Sequence, residues 1–335
     1  MFLLPFVWIR RMVACGMVPR LFWRRSRLIA IDPKSAMAAY SSSGKQQTSL
    51  RVGVMLSIVG VFAALATSLW ADNLDSARQL YQRTAYEAAL RALGAEGSQD
   101  AMVLLLAGQI YYQLGKYQEA SEQLEKASEL QPGSAEIFLW LGRSLGRWAE
   151  ASSFLTAPGY ARRCREALEQ AVALNGKHLE AMSDLAIFYL EAPGFMGGGL
   201  EKAAKLASRI ASLNAAAGHS VQARIAEKRQ DFSGAEAHLQ QAAEMAPQQI
   251  DRLLDLAKFL ARRGKVQQSE QALATAAEVA PKSPKLLFTR AEIYIQRQRN
   301  LKEAQMLLRR YLQMPLTPED PPRRDAERLL AQSGR

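Results

Sequence analysis

From Ala101 onward, apolar residues recur three and four positions apart, and the runs are broken at regular intervals by a tight turn or a proline. The stretch "AMVLLLAGQIYYQLGKYQEASEQLEKASELQPGS" fills Ala101–Ser134, which is 34 residues. It predicts a helix, a turn at Gly115, a second helix, and a stop at Pro132. The same ruler sets further units starting near Ala135, Leu179, Ala216, Ile250 and Pro284. Ahead of them "ARQLYQRTAYEAALRAL" (Ala77–Leu93) supplies one incomplete helix pair. Behind them "LTPEDPPRRDAERLLAQ" carries Thr317 and Asp320 before prolines and then an amphipathic run. Helix formers dominate and Val, Ile and Thr are sparse, so the fold class is all-α.

Two positions in each unit are always small. The eighth is Gly108, Gly142, Ala186, Ala223, Ala257 and Ala291 in turn. The twentieth is Ala120, Cys164, Ala203, Ala235, Ser269 and Ala304, allowing for insertions. Small side chains let two helix backbones approach closely. Pro132, Pro247 and Pro281 recur where a helix has to end. In the first full unit Tyr111, Tyr117 and Ala127 complete a pattern of aromatic and small positions. This pattern resembles the tetratricopeptide repeat (TPR). The resemblance implies a right-handed superhelical solenoid of about six full repeats with a partial first unit. Its boundaries are expected at 72–314 for the solenoid and 315–335 for a capping helix over the last repeat. It also implies protein–protein interaction, with no catalysis of its own and no cofactor.

In TPR proteins the first helix of each unit lines the concave face, and its ninth and thirteenth positions point into the groove. Here those positions are Arg143 and Arg147, Arg224 and Lys228, and Lys258 and Arg262. Ile187 and Glu191 interrupt this basic stripe, and the end units carry Gln109 and Gln113, and Glu292 and Gln296. The stripe allows two readings: a solvated face neutralised by nearby acids, or a groove for an acidic partner segment steered by Arg and Lys. On the second reading Met102, Leu105, Tyr112, Leu139, Leu254 and Phe288 would add apolar contact. The asparagines of the TPR carboxylate clamp are missing at these positions, so that specificity does not carry over.

Two insertions break the ruler. "APGFMGGGLEKAAKL" (Ala192–Leu206) has the outline of a phosphate-cradling loop at a helix N-terminus. No Lys-Ser or Lys-Thr follows its glycines, as a P-loop requires. It is expected to be an insertion loop with Gly197, Gly198 and Gly199 as a flexible bridge, and anion binding is the alternative. The other, around Arg147–Tyr160, holds Trp148, Phe154 and Tyr160, which either fold back as a local core or touch a partner.

Charge adds a topology. The chain is +11, but residues 1–71 hold nine bases against Asp32, and the remaining 264 residues carry only +3. Residues 52–71, "VGVMLSIVGVFAALATSLWA", are apolar and uncharged behind Lys45 and Arg51. They predict a signal peptide, cut near Ala66 or Ala71, or a transmembrane anchor that would make the membrane a partner. Residues 1–51 are a basic leader, disordered or an over-extended start. Either version delivers the repeats to the non-cytoplasmic side, periplasmic, secreted or anchored in the inner membrane. A balanced body argues against nucleic acid.

Candidate chemistry is sparse. Cys15, Cys164, His178, His219 and His238 make no metal-ligand spacing. Cys164 is explained by its small size and His219 by packing, and Asp255 and Glu292 have no paired carboxylate. No nucleophile, base and orienter come together, so the expectation is a binding scaffold without metal or catalysis. The alternative is an accessory or assembly subunit of an envelope enzyme, secretion or polysaccharide system.

Overall fold

The computed structural model describes residues 73–95 and 97–334, and the leader and the apolar run 52–71 lie outside the described residues. No helix among the described residues is long and apolar enough to cross a membrane. The described chain contains helices joined by turns and no strands. A partial unit comes first, α1 over 73–82 and α2 (Tyr86–Leu93). Six pairs follow: α3 (Ala101–Leu114) with α4 (Tyr117–Leu130), α5 (Ala135–Ala151) with α6 (Ala157–Leu174), and α7 (Leu179–Glu191) with α8 (Leu200–Leu213). Then come α9 (Ala215–Lys228) with α10 (Phe232–Met245), α11 (Ile250–Arg262) with α12 (Val266–Val279), and α13 (Pro284–Gln296) with α14 (Leu301–Gln313). A final helix, α15 (Arg323–Ser333), closes the array.

Local sequence sets these boundaries. The side chains of Asp100, Ser134, Asn214 and Asp231 accept from backbone amides that the first turn leaves unpaired. Gly115 ends α3 in the left-handed region at φ 77°. The twelve small positions are all buried. At Gly108 a Cβ would stand 2.5 Å from Leu124 Cγ, and at Gly142 it would stand 2.7 Å from Leu168. The missing carbon therefore lets the opposing leucine seat fully, a burial that stabilises by about 1.5–3 kcal/mol per side chain. Where Ser269 replaces alanine, its hydroxyl donates to the Ala257 carbonyl at 2.8 Å, so the polar atom is satisfied inside the crossing.

First helices pack on first helices from unit to unit: α3 on α5, α7 on α9, α11 on α13. Second helices pack within their own pair and against the next first helix. The first helices therefore line the inner side of the curve. Three apolar clusters follow one another along the array, the first around Ala77 and Ile110, the second around Leu145 and Phe188, the third around Phe259 and Tyr311.

The C-terminal segment does more than cover the last repeat. Ala326 and Leu329 of α15 join the core of the last units. The stretch before it crosses to the first full unit. Gln113 Nε2 donates to the Pro318 carbonyl at 3.0 Å, and Arg324 donates to the Gln113 carbonyl and the Tyr117 hydroxyl. The two ends of the solenoid are thus joined.

Candidate functional site: the inner face of the solenoid

The basic stripe is present on the inner helices, but most of it is paired across units. Arg143 on α5 donates to Asp184 at 2.6 Å and Glu180 at 2.7 Å on α7. Burial works against its charge, yet the two carboxylates outweigh it and hold the guanidinium above its ordinary pKa. Lys228 meets Glu191 at 3.5 Å, Arg262 meets Glu227 at 2.7 Å, and Lys258 meets Glu292 at 2.9 Å. Each pair joins a first helix to the first helix of a neighbouring unit. The acids that interrupt the stripe in the linear sequence, Glu191 and Glu292, are its counter-ions. The residues form an inter-unit ladder of ion pairs. A free cationic surface is left only in places.

Arg147 is held differently. It donates to Glu150 at 2.8 Å and to the Tyr117 hydroxyl at 3.1 and 3.3 Å. Burial pushes the Glu150 carboxyl up to about 7, with Arg147 opposing. Arg224 is the exception in the stripe: it has neither an ion pair nor a hydrogen bond among the described residues. Burial lowers its pKa, while Asp255 and Glu227 counter the shift. Asp255, half-buried on the neighbouring first helix α11, is raised by burial and pulled back by Arg224. Arg252, one helical turn before Asp255, is occupied with the Ser220 hydroxyl at 2.8 Å. Arg224 and Asp255 are thus two half-buried, opposite, unbridged charges midway along the inner face.

The apolar residues assigned to this face are mostly inside the core. Leu105, Tyr112, Leu139, Leu254 and Phe288 are all buried, and only Met102 is exposed. A first helix here has a neighbour on each side, so these positions face the adjoining helix and leave the groove to polar residues. Tyr112, for instance, packs edge-on against Tyr117 and Trp140. The inner face offers polar and charged groups to a partner.

The glycine insertion is a built turn, where the sequence suggested slack chain. Gly194–Met196 forms a short 3-10 turn. The amides of Met196, Gly197, Gly198 and Gly199 donate to the carbonyls of Pro193, Gly194, Pro193 and Tyr189. Those amides are therefore not available to an anion. A Cβ at Gly198 would collide with the Ala192 carbonyl, which explains the glycine. Arg165 and Lys202 cover the outer carbonyls of Met196 and Gly197. The other insertion lengthens its helices and leaves a loop of only five residues, 152–156. Trp148 stacks on Tyr160 at 3.9 Å, folding back as a local core, while Phe154 stays 54% exposed.

Cys164 lies buried at its crossing, and burial raises its thiol pKa far above the ordinary value, so it is not poised as a nucleophile. His219 faces His238, Nδ1 to Nδ1 at 3.0 Å. The ring centroids are 5.2 Å apart, so the nitrogens point nearly at each other, as in a hydrogen bond between the rings. No group of three metal-ligating side chains occurs among the described residues. His219 had looked like a simple packing residue. Its partner was illegible in the sequence because the two lie 19 positions apart, on the two helices of one unit.

The fold and the crossing geometry define a superhelical solenoid of helix pairs, and comparison with known proteins agrees. Residues 108–151 and 226–287 match family models described as TPR repeat and tetratricopeptide repeat. The chain therefore carries tetratricopeptide repeats. Among solved structures it is similar to a tetratricopeptide repeat protein from Parabacteroides merdae, with 13% identity, 80% of this chain and 100% of that one covered, and a TM-score of 0.51. A thermophilic TPR protein of Thermus thermophilus shows 20% identity over 57% of this chain and 98% of its own, with a TM-score of 0.48. No curated protein matches the chain. The shared repeat suggests a protein–protein interaction scaffold.

Proposed function

We propose that this chain is a non-catalytic adaptor outside the cytoplasm that binds a segment of a partner protein along its inner face. The observation that carries the binding reading is the Arg224–Asp255 couple. Both groups are half-buried, neither is bridged by an ion pair or hydrogen bond among the described residues, and a partner that satisfies both would add charged contacts that the free protein does not make. The paired ladder around the couple fixes the spacing of the first helices, so the face is rigid before a partner arrives. The suitable partner is a segment with an acidic group for Arg224 and a donor for Asp255. Delivery beyond the membrane is supported by the charge asymmetry around residues 52–71 and the balanced body.

A photo-crosslinking side chain placed at Lys228, one helical turn after Arg224 on the same face, should capture a partner in the native host, whereas one at Lys126, on a second helix, should not. Arg224→Ala should weaken that complex about tenfold, as expected when one buried partner of a charged contact is lost. Equal capture at both positions would overturn the inner-face reading. A periplasmic phosphatase fused after Asp72 should be active, and activity only from a cytoplasm-specific reporter would refute the topology.

A further inference from the structure

The joined ends form a built arginine site at the corner between α3 and α4. Arg324 Nη1 donates to the Gln113 carbonyl at 2.8 Å, at the negative end of α3. Its Nη2 donates to the Tyr117 hydroxyl at 2.9 Å, and the guanidinium lies over the Tyr117 ring, 5.6 Å from its centroid. Gly115 makes the room, since a Cβ there would collide with Arg324 Nη1. Gln113 reaches in the other direction to the Pro318 carbonyl.

Each half of this seam also has contacts of its own. The strap folds itself: the Thr317 amide and hydroxyl both donate to the Asp320 carboxylate, and α15 is anchored on the last units by Ala326 and Leu329. The corner is likewise held by its own core, with Tyr117 packed on Tyr112. The seam also has a flaw, because Gln113 Oε1 is buried with no hydrogen-bond partner. Opening it sacrifices three hydrogen bonds and a cation–π contact, and it returns water to that orphaned oxygen.

We propose that this corner is a self-recognition site: it takes the Thr317–Arg324 strap of its own chain in the closed monomer, and the same strap of a second copy when the ends part. The Thr317–Asp320 turn and three prolines, Pro318, Pro321 and Pro322, restrict the strap's conformations, so the same surface is presented in cis and in trans. The contact is heterologous, corner to strap, so repeated exchange builds head-to-tail assemblies. Cis closure dominates in dilute solution because the strap is tethered near its corner. This inference is independent of what the inner face binds.

Complementation between two full-length variants tests it. Arg324→Ala keeps an intact corner and spoils the strap. Gln113→Ala with Gly115→Ala keeps an intact strap and spoils the corner, since it removes the bond to Pro318 and crowds the guanidinium away from the Gln113 carbonyl. Each alone should show the wild-type helical spectrum, a larger maximum dimension in small-angle scattering, and little self-association. Mixed in equal amounts, they should associate about tenfold more tightly than either does alone, read by sedimentation equilibrium. A soluble peptide covering Pro315–Glu327 should reverse the association. A mixture no stickier than its components, or variants that scatter like the wild type, would overturn the proposal. Should the double variant lose helicity, Gly115→Ala alone replaces it as the spoiled corner, with the same expected outcome.

Discussion

The corner between α3 and α4 and the corner between α11 and α12 have nearly the same local sequence, Gly115-Lys116-Tyr117 against Gly264-Lys265-Val266. Both glycines adopt φ 77°. At Gly115 the space above the turn is filled by the Arg324 guanidinium, and at Gly264 a Cβ would meet nothing within 4 Å. The turn chemistry is a property of the repeat. Its use as a receptor depends on where the superhelix brings the other end of the chain.

The largest expected effect concerns what the two units share. Ala120→Leu and Ser269→Leu should each destabilise by about 1–3 kcal/mol or more through overpacking at the crossing, measured by urea denaturation. A cost at only one site would show that the two units are not built alike.

The next effect separates the corners. Gly264→Ala should cost about 1–2 kcal/mol, because alanine is strained in the left-handed region. Gly115→Ala carries the same strain and also displaces Arg324, so it should cost more and expand the molecule in small-angle scattering. Equal costs and equal dimensions would mean that the seam contributes nothing.

A smaller effect probes units that make the same turn without glycine. Thr84 and Gln230 sit at φ 56° and 63°. A β-branched residue in that region is strained. Thr84→Gly should therefore stabilise by up to about 1 kcal/mol, with Gln230→Gly gaining less, since glycine's added unfolded-state entropy offsets part of the relief. Loss of stability in both would show that these turns are held by contacts of their side chains.

The smallest effect distinguishes α9–α10 from its neighbours. Burial and the facing His238 hold the His219 pKa below its ordinary 6.5. The folded state therefore binds that proton less readily than the unfolded chain. The associated stability is present above the ordinary histidine range and is lost as pH falls through it. His238→Asn should flatten the dependence of the denaturation midpoint between about pH 7.5 and 5.5. An unchanged slope would place the titration elsewhere.

By itself the sequence determined the repeat. Spacing, small crossing residues and prolines place the helix starts at 101, 135, 179, 250 and 284, and the fourth unit differs only by one position, 215 for an expected 216. Those features act within one helix pair, so they survive in a linear reading. Arg143, Arg147, Arg224, Lys228, Lys258 and Arg262 were legible as a stripe for the same reason. Their state was not, because the counter-ions of Arg143, Lys228, Lys258 and Arg262 come from another helix, some 34 to 41 positions away, and only packing decides whether Glu191 interrupts the stripe or neutralises Lys228. Leu139 and Leu254 were placed in the groove by period alone, and the tertiary structure buries them because a neighbouring first helix covers that side. The contact between Gln113 and Pro318 spans 205 positions. It depends on the accumulated twist of six helix pairs, a sum of small rotations that no single unit's sequence encodes.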